Sequence, residues 1–437
     1  MSGDAAARLR GVDWNALDGL GPLCIDALTR VLEGQSAERS IDRLLRSNRK
    51  LSSSQRTAVV EAIFGVALWR RRLAAHASLD WHDDDAARTV APHATTLLCS
   101  LLRDLGGVDD ARAVELSGAA QPPAQATPRT GAERNSFPDW LWSLLAEELG
   151  ADALSANHLN ASSEAEQFAQ HVSRPGPVFL RANRLRTDRS ALASILGTEG
   201  IETTPCTYAR DGLRVKSARP NLLASPAYRA GLFEVQDEGS QLLGELLEAA
   251  PGETVLDLCA GAGGKSMQLA AAVGLHGRVI CTDPDRSRLD RLRVRAERAG
   301  ARCIELLDSL APGLLVDRVL VDAPCSELGT LRRGPDARWR IDRTSLCTLP
   351  ALQSEILARA ATHVRPGGRL VYATCTIRRA ENEEVADAFE RSQSQFISVE
   401  PGAGWLDRSF AYKRFFLALP HRHDTDGFFA AAWIRRA

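Results

Sequence analysis

Hydrophobic residues follow a helical spacing in the first part of the chain. Between Leu20 and about Ser117, apolar side chains recur three and four positions apart, as in Val60, Ile63, Phe64, Ala67 and Leu68. This spacing gives a helix one apolar stripe that packs against its neighbours. The same region lacks the alternation of apolar and polar residues that is typical of strands. We therefore predict an all-helical domain over residues 1–120.

The pattern is broken after this domain and then becomes mixed. The stretch Gly118–Gly131 is rich in Pro, Ala and Thr and has almost no large apolar residue, which predicts a linker over residues 121–135. Beyond it, Pro177–Asn183 has the composition of a strand and Ser190–Gly200 that of a helix. We predict a small α/β module over residues 136–230.

Short apolar strands alternate with helical stretches from residue 231 to residue 437. The predicted strands are Val255–Leu258, Arg278–Asp283, Ala301–Asp308, Arg318–Asp322 and Arg369–Thr374. This order is typical of an α/β fold with a doubly wound, mostly parallel sheet. Such sheets bind ligands at the carboxyl ends of their strands. Five chemically capable residues lie at or just beyond those ends, namely Asp257, Asp283, Asp308, Asp322 and Cys375.

Composition narrows the class of protein. The 437 residues are 44% hydrophobic and 25% charged, and the net charge is −1, so any contact with nucleic acid must come from a local cluster of Lys and Arg. The N-terminus lacks the apolar segment of a secretory signal, and no apolar run reaches the about 18 residues of a membrane span. The nine cysteines form no Cys-x-x-Cys pair. We expect a cytoplasmic monomer with reduced thiols, no metal and no membrane partner.

A glycine-rich turn joins a predicted strand to a helix at Cys259–Ser266. Glycines at such a turn let the backbone approach a ligand closely. The turn is not a P-loop, because Cys259 stands where the leading glycine is required, and it is not Gly-x-Gly-x-x-Gly, because Ser266 occupies the third position. Asp283 ends the next strand, where an acid accepts hydrogen bonds from ribose hydroxyls. Asp308 ends the third strand and is placed to face an adenine.

Each of these carboxylates alone fits a cap or a turn. After successive strands they resemble, as a set, the S-adenosylmethionine site of class I methyltransferases. The cofactor-binding residues predicted in this way are Cys259, Ala260, Gly261, Ala262, Gly263, Gly264, Lys265, Asp283, Asp308 and Asp322.

Two cysteines follow apolar strands at the ligand-binding edge. Cys325 ends Val-Asp-Ala-Pro-Cys, and Cys375 ends Tyr-Ala-Thr-Cys. A thiolate that adds to C6 of cytosine turns C5 into a carbon nucleophile, which then accepts a methyl group. Asp322 is placed to neutralise charge near N3, and the second thiol can help to remove the C5 proton or to release the adduct. The residues themselves do not say which thiol does which.

Three motifs resemble the RNA 5-methylcytosine methyltransferases of the Sun/Nop2 superfamily: Asp257–Ser266, Val321–Ser326 and Tyr372–Thr376. The resemblance runs from about Phe137 to the C-terminus. It implies a Rossmann-like class I methyltransferase fold, S-adenosylmethionine as cofactor, Cys375 as nucleophile and Cys325 as the residue of product release. Asp322 and Lys265 complete the implied catalytic set.

The helical N-terminal part resembles the NusB-like domain of the bacterial 16S rRNA enzymes of this superfamily, the Sun/RsmB type. The expected substrate is therefore a cytosine in 16S rRNA or in a small-subunit assembly intermediate. Transfer RNA, another rRNA site, or a non-catalytic role in ribosome assembly are the alternatives, and the missing third glycine argues against a nicotinamide dehydrogenase. Glu327 and Arg379 depart from the family, which usually has Gly and Pro there.

Arginines with an aromatic neighbour predict where RNA is bound. A cluster of arginines surrounds Trp339 just after Cys325, a combination that suits phosphate contact and base stacking. The predicted RNA-binding residues are Asn183, Arg186, Arg332, Arg333, Arg338 and Arg340. In the segment Arg286–Arg302, Asp290 and Glu297 are interleaved with the arginines, which favours a solvated helix face.

Overall fold

A computed structural model describes residues 3–83, 91–150, 161–217, 220–334 and 336–437. The chain divides into two compact units. The helical unit consists of Met1–Pro175 and Leu331–Ile341, and the sheet unit consists of Gly176–Thr330 and Asp342–Ala437. Within the described residues, no helix is both long enough and apolar enough to cross a membrane.

The helical unit confirms the prediction of a helical N-terminal part. Its helices are α1 Gly3–Arg10, α2 Gly21–Leu32, α3 Ala37–Ser47, α4 Ser53–His76, α5 Ala94–Asp104, α6 Asp110–Ser117, α7 Gly131–Asn135, α8 Asp139–Gly150 and α9 Ala161–Val172. A capping box opens α4, since the Ser52 hydroxyl accepts from Gln55 N–H and the Gln55 side chain accepts from Ser52 N–H. Gly65 lets α5 approach α4, because a Cβ there would lie 2.8 Å from a methyl carbon of Leu101.

The structure adds two details at the predicted bounds of the linker and of the α/β module. The predicted linker contains α7, which a second capping box between Thr130 and Glu133 stabilises. By their contacts, helices α8 and α9 group with the helical unit. The α/β module over residues 136–230 stays a prediction. The apolar stripe of an amphipathic helix predicts that the helix is packed, but not which domain it packs on.

Residues 331–341 are separated in sequence from the rest of the helical unit but form part of its interior. The side chain of Arg338 is 1% exposed. Its guanidinium lies 3.9 Å from the ring centroid of Phe137 and donates to the carbonyl oxygen of Ser136 at 3.1 Å. Burial lowers the pKa of Arg338 to about 9. Nearby, the buried Asp336 carboxylate accepts from Ala37 N–H at the start of α3, at 3.0 Å.

A four-stranded antiparallel sheet begins the sheet unit, in the order β2-β3-β1-β4. Its strands are β1 Phe179–Ala182, β2 Thr203–Pro205, β3 Gly212–Val215 and β4 Phe233–Val235, accompanied by α10 Arg189–Thr198 and α11 Pro226–Arg229. Leu180 and Phe233 from the strands pack with Leu192 and Leu196 of α10 in one buried cluster. This part agrees with the predicted mixture of short strands and a helix.

The large sheet has the strand order β11-β12-β13-β9-β8-β5-β6-β7, and β10 pairs with β13. Strands β5 to β9 are parallel where they pair, and β13 runs antiparallel to β9. The strands are β5 Thr254–Asp257, β6 Arg278–Cys281, β7 Ile304–Leu306, β8 Val316–Asp322, β9 Val364–Thr374, β10 Phe396–Val399, β11 Ala411–Tyr412, β12 Phe415–Ala418 and β13 Phe428–Arg435. The accompanying helices are α12 Glu238–Glu245, α13 Gly264–Val273, α14 Arg286–Ala299, α15 Arg343–Ala361, α16 Glu383–Ser392 and α17 Pro420–His423.

The doubly wound, mostly parallel sheet of the sequence prediction is confirmed. The strands at its centre are apolar along their length because helices cover both faces of such a sheet. The register aligns their carboxyl ends: Asp257 pairs with Cys281 on one side and with Leu320 on the other, and Asp322 pairs with Ala373. The loops that follow these residues therefore meet at one edge.

We expect Asp336→Ala to destabilise the helical unit by about 2 kcal/mol, because the change leaves Ala37 N–H and the Arg340 guanidinium without their acceptor. Urea unfolding followed by circular dichroism measures this difference. The control is Asp26→Ala, which removes an exposed ion pair with Arg30 and should cost no more than about 0.5 kcal/mol. Equal losses in the two variants would show that the buried carboxylate of Asp336 stabilises this unit no more than an exposed ion pair does.

Candidate active site

The glycine-rich turn connects β5 to α13 and is held by the end of the neighbouring strand. Gly261 N–H donates to the Asp283 carboxylate at 2.9 Å. Gly263 has a φ of +87°, and a Cβ at this residue would lie 2.5 Å from Leu292 Cγ, so only glycine fits. The carboxylate after β6 thus fixes the path of the turn.

A cavity of about 820 Å³ opens at the carboxyl ends of the parallel strands. Nine of the ten predicted cofactor residues line it, namely Cys259, Ala260, Gly261, Ala262, Gly264, Lys265, Asp283, Asp308 and Asp322, and Gly263 does not. Both thiols of interest, Cys325 and Cys375, line the same cavity. The structure therefore brings together the candidates that lie 116 residues apart in the sequence, from Cys259 to Cys375.

Asp257 is the buried acid at the end of β5. One carboxylate oxygen accepts from the Ser266 hydroxyl at 2.7 Å, and the other has no hydrogen-bond partner among the described residues. Burial raises the pKa of Asp257 to about 7, and the nearby charge of Asp322 acts in the same direction. A buried oxygen without a partner, on the wall of a cavity, is suited to a donor supplied by a ligand.

Lys265 and Asp322 form an ion pair between the glycine-rich turn and the end of β8. The Lys265 Nζ lies 2.7 Å from a carboxylate oxygen of Asp322. Burial by itself lowers the pKa of Lys265, but the charge and the hydrogen bond of Asp322 outweigh it, so the pKa is raised. The ammonium also lies 5.8 Å from the ring centroid of Phe428. This pair places a strongly held proton on the wall of the cavity.

The two thiols face each other. Cys325 Sγ lies 3.3 Å from Cys375 Sγ, and the backbone N–H of Cys375 donates to Cys325 Sγ at 3.4 Å. The hydrogen bond with Cys325, burial, and the negative charges of Asp322 and Glu327 together raise the pKa of Cys375 well above that of an ordinary thiol. Cys375 is thus a protonated thiol here and needs a proton acceptor before it can act as a nucleophile.

Glu327 explains one departure from the family pattern. Its φ is +58°, in the left-handed region where glycine is favoured, and the family usually has glycine at this position. The side chain is exposed and its charge acts on Cys375. Glu327 therefore introduces both backbone strain and a negative charge beside the two thiols. Arg379, the other departure, begins a short 3-10 turn that leads into α16.

Several predicted RNA-binding residues are not available to RNA. Asn183 is 5% exposed, and its amide donates to the carbonyl oxygens of Gly231 and Ala299, both at 2.8 Å. Arg338 is enclosed by carbonyl oxygens and Arg332 is buried, whereas Arg340 is exposed and is paired with Asp336 through its Nε. The structure does not support the predicted contacts of Asn183, Arg332 and Arg338, since a phosphate must reach the guanidinium or amide that binds it.

Arg186 and Arg333 are exposed, and Arg186 shares a second cavity with two arginines that were assigned to a solvated helix face. This groove has a volume of about 530 Å³ and lies in the sheet unit. Its charged residues are Arg186, Arg293, Arg302 and Glu297, and Ile304 and Leu306 of the edge strand β7 form part of its wall.

Three polar residues that surround the thiols are not among the predicted site residues. Gln353, Glu381 and Asn382 are buried and hydrogen-bond to the segments that carry Cys325 and Cys375. A signal was present, because Glu381 and Asn382 follow the end of β9 within eight residues, close to the carboxyl edge of the sheet where ligands bind. Gln353 lies within α15 and gave no signal.

The imidazole of His423 is part of the packing. It stacks on the ring of Phe410 at a centroid distance of 4.2 Å and accepts from Leu419 N–H at 2.9 Å. In the part of the chain that the structure describes, no cluster of His, Cys, Asp and Glu has the arrangement of a metal site.

Residues 245–434 match the family model of the 16S rRNA methyltransferase RsmB/F, and residues 137–221 match the model of the ferredoxin-like domain of RsmF/B-like methyltransferases. The chain is 34% identical over 310 residues to the Probable ribosomal RNA small subunit methyltransferase B of Synechocystis, with 68% of this chain and 67% of that protein covered. It is 30% identical to the Ribosomal RNA small subunit methyltransferase B of Pseudomonas syringae, with 87% and 82% covered. The crystal structure of PH0851 has a TM-score of 0.74 at 22% identity and covers 97% of this chain and 99% of that one, which shows a shared fold.

We expect Glu327→Gln to speed the alkylation of Cys375 by iodoacetamide at pH 8 by about threefold, because removing a negative charge lowers the pKa of the thiol. Peptide mapping by mass spectrometry measures the rate at Cys375 alone. The gain should shrink in 1 M salt, since the Glu327 side chain is exposed and its field is screened. The control is Glu355→Gln. Glu355 also lines the cavity, but its carboxylate is not among the main causes of the raised pKa of Cys375. Identical rates for Glu327→Gln and native protein would show that this charge does not act on the thiol.

Proposed function

Because this chain belongs to the 16S rRNA methyltransferase RsmB/F family, we propose that it transfers a methyl group from S-adenosylmethionine to C5 of a cytosine in 16S rRNA. The observation that carries the proposal is the meeting of two thiols 3.3 Å apart with the Lys265–Asp322 pair in one cavity. Methylation at cytosine C5 requires a thiol nucleophile and nearby proton-carrying groups, since C5 is a weak nucleophile until a thiolate has added to C6.

The residues of the cavity fit the cofactor. Asp257 offers a buried oxygen without a partner, which suits the cationic ammonium of a methionine moiety. Each carboxylate oxygen of Asp283 accepts one hydrogen bond, one from Gly261 N–H and the other from Asp285 N–H, so each oxygen keeps a lone pair for a ribose hydroxyl. When bound, S-adenosylmethionine supplies a methyl group on a positively charged sulfur. The turn around Gly261 leaves room for its backbone to approach the ligand.

The catalytic steps use the groups around the thiols. Cys375 Sγ gives its proton to the Asp322 carboxylate and forms a bond to C6 of the base. Asp322, held by Lys265 at 2.7 Å, then passes this proton to N3, so that the electron pair pushed into the ring is not left as a charge. C5 then takes the methyl group. Cys325, 3.3 Å from Cys375, then acts as a thiolate that takes the C5 proton. The electron pair of the C5–H bond restores the C5–C6 double bond, the bond between Cys375 Sγ and C6 breaks, and Cys375 leaves with the electron pair of that broken bond while N3 returns its proton to Asp322.

A non-catalytic assembly factor with the same fold is the second candidate. It would need the RNA-binding surface but neither thiol, and it gives no reason for Lys265 to be paired with Asp322 beside Cys375. The same chemistry on transfer RNA uses the same cavity, and it is separated from the proposed substrate by sequencing both kinds of RNA.

For the RNA itself we propose the groove lined by Arg186, Arg293 and Arg302 in place of the arginines around Trp339. The Arg186 Nε donates to Ala299 O at 2.8 Å, which fixes the side chain and leaves its terminal nitrogens for a phosphate. Glu297 is the one acid in the lining, so the groove carries a net positive charge. Phosphate contacts of this kind give affinity without reading the base.

We expect the purified protein to place 5-methylcytosine in a 16S rRNA transcript when S-adenosylmethionine is present, as read by bisulfite sequencing. Cys375→Ala should abolish the mark, because no other thiol is proposed to add to C6. Cys325→Ala should instead accumulate a protein–RNA adduct on denaturing gels, because the bond from Cys375 is formed and not resolved. Cys347→Ala, at an exposed cysteine away from the cavity lining, is the matched control and should behave as native protein.

Neither a mark nor an adduct with any RNA would refute the enzyme and favour the assembly factor. A mark on transfer RNA and none on 16S rRNA would correct the substrate. Full activity of Cys375→Ala would exclude it as the nucleophile.

We expect Arg293→Gln and Arg302→Gln each to lower the slope of log Kd against log salt by about 1 unit, because each removes one phosphate contact. Filter binding of the 16S rRNA transcript between 50 and 300 mM salt, roughly the range in which such slopes are measured, gives this number. Arg391→Gln changes an exposed arginine outside the groove and should leave the slope unaltered. Unaltered slopes for all three variants would remove the groove from the RNA path.

A further inference from the structure

Two adjacent residues, Glu381 and Asn382, hold the two cysteine segments separately. Both are almost fully enclosed, and Glu381 is 0% exposed. The main-chain oxygen of Glu381 accepts from the Tyr372 hydroxyl at 2.6 Å, which attaches this turn to β9. The pair lies beside the cavity but does not line it, so its side chains are not placed to touch a substrate.

The Glu381 carboxylate holds the segment of Cys325. One oxygen accepts from Ser326 N–H at 2.9 Å and from the Gln353 amide at 3.0 Å. The same Gln353 nitrogen donates to Pro324 O at 2.9 Å. The other oxygen is paired with Arg378 at 3.0 Å. The residues on both sides of Cys325 are therefore fixed by one carboxylate and its amide neighbour.

The Asn382 amide holds the segment of Cys375 in the same manner. Its oxygen accepts from the Thr374 hydroxyl at 2.6 Å, and its nitrogen donates to Thr376 O at 3.0 Å. The residues on both sides of Cys375 are thus fixed by one side chain. A direct bond of 2.7 Å between the hydroxyls of Ser326 and Thr376 joins the two segments.

We propose that Glu381 and Asn382 are positioning residues that each serve the step of one cysteine, Asn382 the addition of Cys375 to C6 and Glu381 the release that depends on Cys325. The inference rests on the proposed function, because it needs both steps. Its physical basis is that reacting atoms displaced by about 1 Å lose on the order of a hundredfold in rate. A pair that only stabilised the fold would slow both steps alike.

Two isosteric substitutions separate the steps. Asn382→Asp keeps the acceptor for Thr374 but places an oxygen where a nitrogen donated to Thr376 O, so it disturbs Cys375. Glu381→Gln removes the negative charge that is paired with Arg378. It also replaces one carboxylate oxygen by an NH2 group, which cannot accept a hydrogen bond, so it disturbs the segment of Cys325. Gln353→Leu removes the support of Pro324 without burying a new charge. Glu253→Gln is the control, since it makes the same exchange at the ion pair with Arg318, at the other end of β5.

The measurements are the single-turnover rate of methyl transfer to the 16S rRNA transcript and the fraction of protein trapped as an RNA adduct. We expect Asn382→Asp to slow methyl transfer by about tenfold to a hundredfold with no adduct. Glu381→Gln and Gln353→Leu should transfer the methyl group nearly as fast as native protein but accumulate adduct and slow multiple turnover by a similar factor. Glu253→Gln should match native protein in both readings.

The same slowing of both steps in Asn382→Asp and Glu381→Gln would overturn the proposal, as would an absence of adduct in both Glu381→Gln and Gln353→Leu. If Glu381→Gln does not fold, as judged by thermal unfolding, Gln353→Leu decides the case for Cys325. The native protein distinguishes the two levels of inference. Native turnover without the predicted split refutes only the division of labour, whereas no turnover and no adduct from native protein or Cys325→Ala refutes the proposed function.

Discussion

The parallel pairing of β8 with β9 is the constraint on which the candidate active site depends. Asp322 pairs with Ala373, so the chains leaving the two strands carry Cys325 and Cys375 forward side by side to 3.3 Å. A shift of one residue in this register would turn every side chain of β8 to the opposite face, so the apolar strands and the thiol geometry are specified together. Glu381 and Asn382, which follow β9, then hold the two loops that leave β8 and β9. The register of the sheet determines where these loops begin.

The charges around the thiols define the resting state of the site. Asp322 and Glu327 disfavour a second anion, and burial acts in the same direction, so Cys375 keeps its proton. Lys265 compensates only part of this, because it is committed to Asp322. A cofactor with a positively charged sulfur would shift the balance toward the thiolate. The proposed chemistry thus becomes easiest when the methyl donor is in place, which limits unproductive reactions of the nucleophile.

The strand ends were predictable because apolar runs of strand length, each followed by Asp or Cys, need only local pattern. The separate roles of the two thiols, Cys375 as nucleophile and Cys325 in product release, were predicted from the family resemblance and not from the residues. Arg338 was misjudged because an arginine beside a tryptophan has the composition of an RNA contact, and its partners at Asn135 and Ser136 lie some two hundred residues away in sequence. Gln353 was missed for the same reason: its partner Glu381 follows another element. The antiparallel strands β10 to β13 were not predicted either.

The discontinuity of the helical unit has a consequence for synthesis of the protein on the ribosome. Asp336 and Arg338 belong to the interior of this unit, yet they emerge only after the whole segment Gly176–Thr330 has been translated. The carbonyl oxygen of Ser136 and the N–H of Ala37 cannot form their hydrogen bonds to Arg338 and Asp336 before these residues have been made. The first part of the chain to be made is therefore among the last to reach its final packing. An interrupted translation product that ends before residue 331 lacks Asp336 and Arg338 and cannot complete the interior of the helical unit.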